Sequence, residues 1–214
     1  MNILVSDFDG TLTRYDFFDQ VRKRWPLPPE TDPWNTYMAG EITHFTALAS
    51  IFASIRASEA ELRELVDSME IADGLAGAIS DLHTSGWDVV IASAGCEWYI
   101  RILLAKAGVS LPLHTNPGEF DPELGLQMRA PVDSPFLSPT TGIDKVAVVR
   151  DALTRAPRVA FAGDGPPDLP AILLIEPELR FARGWLAQAL EEKGETFHHF
   201  ENWPQIASHL SRIS

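Results

Sequence analysis

The sequence predicts an α/β protein of three layers, a parallel sheet held between helices. Two observations carry this. Short apolar runs rich in β-branched residues recur at Ile3–Ser6, Asp88–Ser93, Arg158–Gly163 and Leu179–Ala182, continuous rather than alternating, as strands covered on both faces are. Between them, apolar residues return every three or four positions, and several of these segments stop at a glycine just past the last one. Strands alternating with helices build a sheet whose ligands bind at the carboxyl ends of its strands.

Taken in order, Ile3–Ser6 is the first strand. The stretch 16–72 breaks the alternation and reads as several helices, the last at Glu59–Met69 with Leu62, Leu65, Val66 and Met69 on one face. It predicts a helical cap inserted over a core made of 1–15 and 73–214. Asp73–Ser85 repeats Leu75, Ala78, Ile79 and Leu82 and stops at Gly86, which predicts the helix before the Asp88–Ser93 strand. Trp98–Ala107 predicts a helix ended by Gly108. The stretch Leu113–Pro131 is dense in turn formers (Asn116-Pro117-Gly118, Asp121-Pro122, Gly125) and predicts a β-hairpin or flap. Helices at Lys145–Leu153, Gly184–Lys193 and Pro204–Ile213, with a weaker strand at Thr196–Phe200, complete the set.

Composition narrows the function. The chain has 214 residues, 45% hydrophobic and 22% charged, an ordinary globular balance that excludes a disordered chain, a collagen-like repeat or a simple coiled coil. Thirty acidic against 17 basic residues give a formal charge of −13, which repels nucleic acid and anionic membrane. The basic cluster Arg22-Lys23-Arg24 reads as a solvated helix face. A single cysteine, Cys96, excludes an intramolecular disulfide, points to a reducing compartment, and reads as a packed side chain. The chain opens without a basic n-region, and its longest uncharged apolar stretch, Ile42–Ile55, falls short of the ~20 residues of a membrane span. The expectation is a cytoplasmic monomer or homodimer with neither nucleic-acid nor membrane partner.

The chemistry concentrates at strand ends. Directly after the first strand come Asp7 and Asp9, two apart, so on an extended chain both carboxylates point the same way, and Gly10 then allows a sharp turn. Val159–Gly163 delivers Asp164, and after a Gly-Pro-Pro turn comes Asp168, either a helix cap or a site residue. Ser93 closes a strand before Ala94-Gly95, where its hydroxyl and the following amides could cap a helix or hold an anion. Lys145 opens a helix and, taken singly, reads as an exposed lysine. Four carboxylates against one ammonium in a cleft invite a divalent cation, and an all-oxygen set favours Mg²⁺. With that ion bound, the hydroxyl and amides remain to hold phosphate.

In order and spacing, these residues resemble the four motifs of the haloacid dehalogenase-like (HAD) phosphohydrolase superfamily: D-x-D-G-T, a Ser at the second strand end, a Lys, then G-D-x-x-x-D. The resemblance implies a Rossmann-like core in which Asp7 is a nucleophile forming an aspartyl-phosphate, Asp9 the general acid and base, and Lys145 a catalytic cation. Ser93, Ala94, Gly95 and Lys145 would bind phosphate, Asp7, Asp9 and Asp164 would hold Mg²⁺, and Asp168 would support them. A cap between the first motif and the Ser strand resembles the phosphoserine-phosphatase-like branch. Within it, Trp34, Gly40-Glu41-Ile42-Thr43 and the tail "RFARGWLAQALEEKG" are similar to methionine-salvage phosphatases. Two positions depart: Asp16 stands where phosphoserine phosphatases carry Glu, and Ala94 where Gly is usual. Asp16, Arg14, Tyr15 and Trp34 are the substrate-contact candidates, whereas Tyr37 and Arg56 read as cap packing. The implied partner is a small phosphorylated metabolite. Alternatives are a non-catalytic phospho-acceptor or binding protein of similar fold and a phosphotransferase to an alcohol.

Overall fold

The first strand, β1 (Asn2–Ser6), is apolar at Ile3, Leu4 and Val5 and buried from Ile3 onward. The computed structural model describes residues 1–213. After β1 come four helices, α1 (Phe17–Arg24), α2 (Pro33–Met38), α3 (His44–Ala53) and α4 (Glu59–Asp67). Each begins at a residue whose side-chain oxygen accepts the first free amides: Asp16, Asp32, Thr43 and Ser58, the last in a reciprocal capping box with Glu61. Then follow α5 (Leu75–Thr84), β2 (Trp87–Cys96), α6 (Glu97–Lys106), β3 (Leu113–Asn116), the hairpin β4 (Gly118–Asp121) and β5 (Gly125–Met128), and a second small hairpin, β6 (Leu137–Ser138) and β7 (Gly142–Ile143). The chain closes with α7 (Lys145–Arg155), β8 (Val159–Gly163), α8 (Leu169–Ile172), β9 (Arg180–Ala182), α9 (Gly184–Glu192), β10 (His198–His199) and α10 (Pro204–Leu210).

The central sheet runs β10-β9-β8-β1-β2-β3, all parallel. β1 is its middle: Val5 pairs with Val90 on one side and Phe161 on the other. The chain fills one flank first, then returns to build the other, so the connections leave β1 in opposite directions and open a crevice at the strands' carboxyl ends. Helix α7 packs on β1, β2 and β8, while α5 packs on β2 and α10. This is the α/β architecture expected, and its core includes the fully buried Trp87, Trp203, Phe161 and Phe181.

The flap expectation is corrected at its start. Leu113–Asn116 joins the central sheet as β3, and the hairpin begins only at Gly118. As an edge strand reading Leu-His-Thr-Asn, β3 is half-buried and lacks the apolar run that marks the inner strands. The fifth-strand candidate shrinks to His198–His199. β2 extends past Ser93 to Cys96, so Ser93, Ala94 and Gly95 are strand residues rather than a loop. The hairpin is tied to α3 at Gly125 (φ +82°): a Cβ there would lie 2.8–2.9 Å from the carbonyls of Phe52, Ala53 and Ile55. No described helix is long and apolar enough to cross a membrane.

Candidate active site

The carboxyl ends of β1, β2 and β8 share a cavity of about 270 Å³, roofed by residues of α1, α2 and α3. Asp7 leaves β1 with its amide bonded to the Ala162 carbonyl of β8 (2.9 Å). The Ser6 hydroxyl donates to the Asp7 carbonyl (2.8 Å) and accepts from the buried Trp203 indole (3.0 Å), which fixes the strand end on both sides. Lys145, the first residue of α7, is no surface lysine: it is 5% exposed and its ammonium lies 2.7 Å from Asp7 and 2.6 Å from Asp168. Asp168 is fully buried and also accepts the amides of Asp164 (3.2 Å) and Gly165 (3.0 Å), closing the turn after β8.

Burial, together with Asp168 and Asp164, holds the Asp7 carboxyl well above the ordinary carboxylate range, against the pull of Lys145. Burial and Asp168 push Asp164 up to about 7. Burial alone would lower the Lys145 ammonium, but Asp168 and Asp7 hold it above its ordinary value. Carboxylate oxygens of Asp7, Asp164 and Asp168 lie within 4.8 Å of one another. Both oxygens of Asp168 are already bonded, whereas Asp7 and Asp164 each keep one oxygen without a hydrogen bond from any described residue. Gly10 (φ +66°) makes this approach possible, since a Cβ there would meet Asp164 Oδ2 at 2.2 Å. A buried, crowded, all-oxygen set that raises its own proton affinity fits a hard divalent cation, with Asp168 as a brace.

Asp9 takes another direction. Its Oδ2 accepts from the Tyr99 hydroxyl (2.7 Å) and from Ser93 Oγ (3.4 Å), and its Oδ1 accepts the Phe17 amide (3.2 Å). Burial raises its pKa, opposed by the Tyr99 and Phe17 hydrogen bonds. Ser93 Oγ accepts the Gly95 amide (2.9 Å), and Asn116 at the end of β3 donates to the Ala94 carbonyl (2.7 Å), bracing this strand end.

Of the substrate-contact candidates, Asp16 and Trp34 line the cavity and Arg14 and Tyr15 do not. Arg14 is exposed, pairs with Glu70 at 3.2 Å and lies over the Tyr15 ring. Tyr37 packs on Trp34 and His44, and Arg56 bonds the carbonyls that end α3. Asp16, half-buried, accepts the Phe18 amide (2.6 Å) and has its carboxyl raised by burial, Asp9 and Asp19. Cys96 is buried and its thiol pushed up to about 12, which makes it a packing residue.

Sequence reasoning missed three residues. Tyr99 reads as one more apolar position of a helix. His44, whose buried Nδ1 has no partner and whose pKa burial lowers to about 4, lines the cavity from α3, whose packing no local pattern reveals. Arg183 donates to the carbonyls of Gly10 and Thr13 and so holds the loop after β1. The distinctive tail segment was the signal for it.

Residues 4–172 match the family model for haloacid dehalogenase-like hydrolases. The chain is 20% identical to a protein of Bacillus pumilus named 2-hydroxy-3-keto-5-methylthiopentenyl-1-phosphate phosphatase, across 99% of this chain and 91% of that one. Among solved structures it is similar to a probable phosphoserine phosphatase from Vibrio cholerae (TM-score 0.70, 20% identity), covering 98% of this chain but only 64% of that longer one. It is also similar to a phospho-aspartyl intermediate analogue of phosphoserine phosphatase (TM-score 0.63, 16% identity, 97% and 98% covered). At these identities the structural likeness speaks for the fold. With a family model matched over most of its length, and the motif residues gathered at one sheet edge, the chain belongs to the haloacid dehalogenase-like hydrolases.

Proposed function

We propose that the chain is a Mg²⁺-dependent phosphatase that hydrolyses a small phosphorylated metabolite through an aspartyl-phosphate at Asp7. The observation that carries this reading is the grouping of Asp7, Asp164 and the buried Lys145 with Asp9 and Ser93 on the walls of one cavity. The helices of 16–72 act as the cap over a core of 1–15 and 73–214.

Asp7 attacks the phosphorus; the P–O bond to the alcohol breaks, and Asp9 gives that oxygen its proton. Asp9 then takes a proton from the water that attacks the phosphorus, releasing phosphate and restoring Asp7. Lys145, fixed between Asp7 and Asp168, and Ser93 with the strand-end amides hold the phosphoryl oxygens. A divalent cation held by Asp7, Asp164 and the Asp9 carbonyl would neutralise charge that otherwise repels the dianionic substrate. The alcohol lies against the cap, whose contacts select it.

The cavity also separates two substrate types. Its lining also includes Phe18, Trp34, Leu48, Phe52 and Trp185, with Asp16 and Asp19. Lys145 is the one Lys or Arg among the described lining residues, and His44 is neutral near pH 7. Phosphoserine brings a carboxylate for which the lining offers no second Lys or Arg. An uncharged, partly apolar alcohol suits these walls, as in the compound of the Bacillus pumilus relative's name.

Phosphate release from p-nitrophenyl phosphate, with Mg²⁺ and after chelation, tests the reaction. Turnover that needs the metal supports it; stable phosphorylation of Asp7 without turnover replaces it with an acceptor protein. In a metabolite screen, carboxylate-free esters are expected to exceed phosphoserine by tenfold or more in kcat/KM, and the reverse order refutes the substrate class.

A further inference from the structure

We propose that Tyr99 is the positioning residue of the acid–base carboxylate, its hydroxyl holding Asp9 in one orientation against the cavity wall. The inference rests on the reading of Asp9 as proton donor and acceptor. Of the three groups bonded to that carboxylate, the Tyr99 hydroxyl is nearest, at 2.7 Å against 3.2 and 3.4 Å for the Phe17 amide and Ser93.

The hydroxyl is fixed independently of Asp9. Tyr99 is 1% exposed; its ring stacks on Phe17 (centroids 4.1 Å apart, 21° between planes) and packs against Phe8. The chain also leaves a place for it. A Cβ at position 95 would lie 1.9 Å from the Tyr99 oxygen and 2.7 Å from Asp9 Oδ2, so the glycine and the hydroxyl share one notch. A buried ring alone would be served by phenylalanine. A buried hydroxyl needs a partner, and here that partner is the carboxylate. Phe17 links the other side, stacking on the Tyr99 ring while its own amide bonds Asp9 Oδ1. Both carboxylate oxygens are thereby anchored, one from the helix after β2 and one from the first helix of the cap.

General acid catalysis depends on geometry and contributes most where the leaving group is a poor one. The test is Tyr99→Phe assayed on p-nitrophenyl, phenyl and p-methoxyphenyl phosphates, with kcat/KM as the readout because it reports steps through release of the phenol. The variant is expected to lose at least fivefold more on p-methoxyphenyl phosphate than on p-nitrophenyl phosphate, steepening the dependence on leaving-group acidity. A purely structural hydroxyl predicts parallel losses on all three esters, and parallel losses or none overturn the proposal. Wild-type protein that hydrolyses none of them overturns the phosphatase reading itself, and this inference with it.

Discussion

Asp7 and Lys145 touch each other, yet their substitutions should behave differently. Asp7→Asn keeps shape and leaves Lys145 its bond to Asp168, but an amide does not attack phosphorus. Turnover is expected to fall at least about 10³-fold, with a melting temperature equal to or above wild type, because one of three crowded carboxylates has gone. A rate near wild type would remove Asp7 as nucleophile. Lys145→Ala instead strips the cation from between two buried acids. Breaking such a pair costs about 3–5 kcal/mol, so this variant should show a clear fall in melting temperature besides a loss of at least 100-fold in kcat/KM. A change below tenfold in kcat/KM would make it a structural lysine only. Asp7, Asp9, Ser93, Asp164 and Asp168 were legible in the sequence because each closes an apolar run or follows it within five residues. Tyr99 and His44 were not, because what they do depends on contacts across 90 residues of chain or on helices of the 16–72 stretch, which have no fixed register with the sheet.

At the scale of elements, the loop that leaves β1 is held from the far end of the chain. Arg183, just before α9, donates to the carbonyls of Gly10, Thr13 (2.6 Å) and Glu201 (2.9 Å), joining the Asp9-bearing turn to the segment after β10. Arg183→Ala leaves these carbonyls without their donor, at about 1–3 kcal/mol of stability, and loosens the turn that sets Asp9. A fall of about tenfold in kcat/KM and of several degrees in melting temperature is expected. Arg183→Lys should recover little of either, since one ammonium does not reproduce the planar fork. Recovery by lysine would show that charge alone matters. Helix positions were readable from spacing and caps, and β1, β2 and β8 from their unbroken apolar runs. β3 was hidden inside the turn-rich stretch for the opposite reason: an edge strand needs only half the apolar surface, and Asn116, its last residue, serves the Ala94 carbonyl rather than the core.

The whole molecule carries a charge of −13, and its crevice adds buried carboxylates facing a single ammonium. This ties stability to pH in an unusual direction. Asp164 goes from an ordinary 3.8 to about 7 on folding, and Asp7 moves the same way. Between roughly pH 4 and 7 the folded chain therefore binds protons that the unfolded chain has released, so stability is present in full below the lower value and is lost as pH rises through the higher one. The expected effect is on the order of 2 kcal/mol. Metal-free protein should thus melt about 5 °C higher at pH 5 than at pH 8. Mg²⁺ competes with those protons, so it should raise the melting temperature more at pH 8 than at pH 5. Asp164→Asn removes one of the titrating groups of this site and should shrink both the pH gap and the Mg²⁺ gain, which separates this site from general repulsion among surface acids. Thermal melts of both proteins at the two pH values, with chelator and with Mg²⁺, decide it: metal-free wild type that grows more stable from pH 5 to pH 8 would mean that the acids at the strand ends do not share one crowded site.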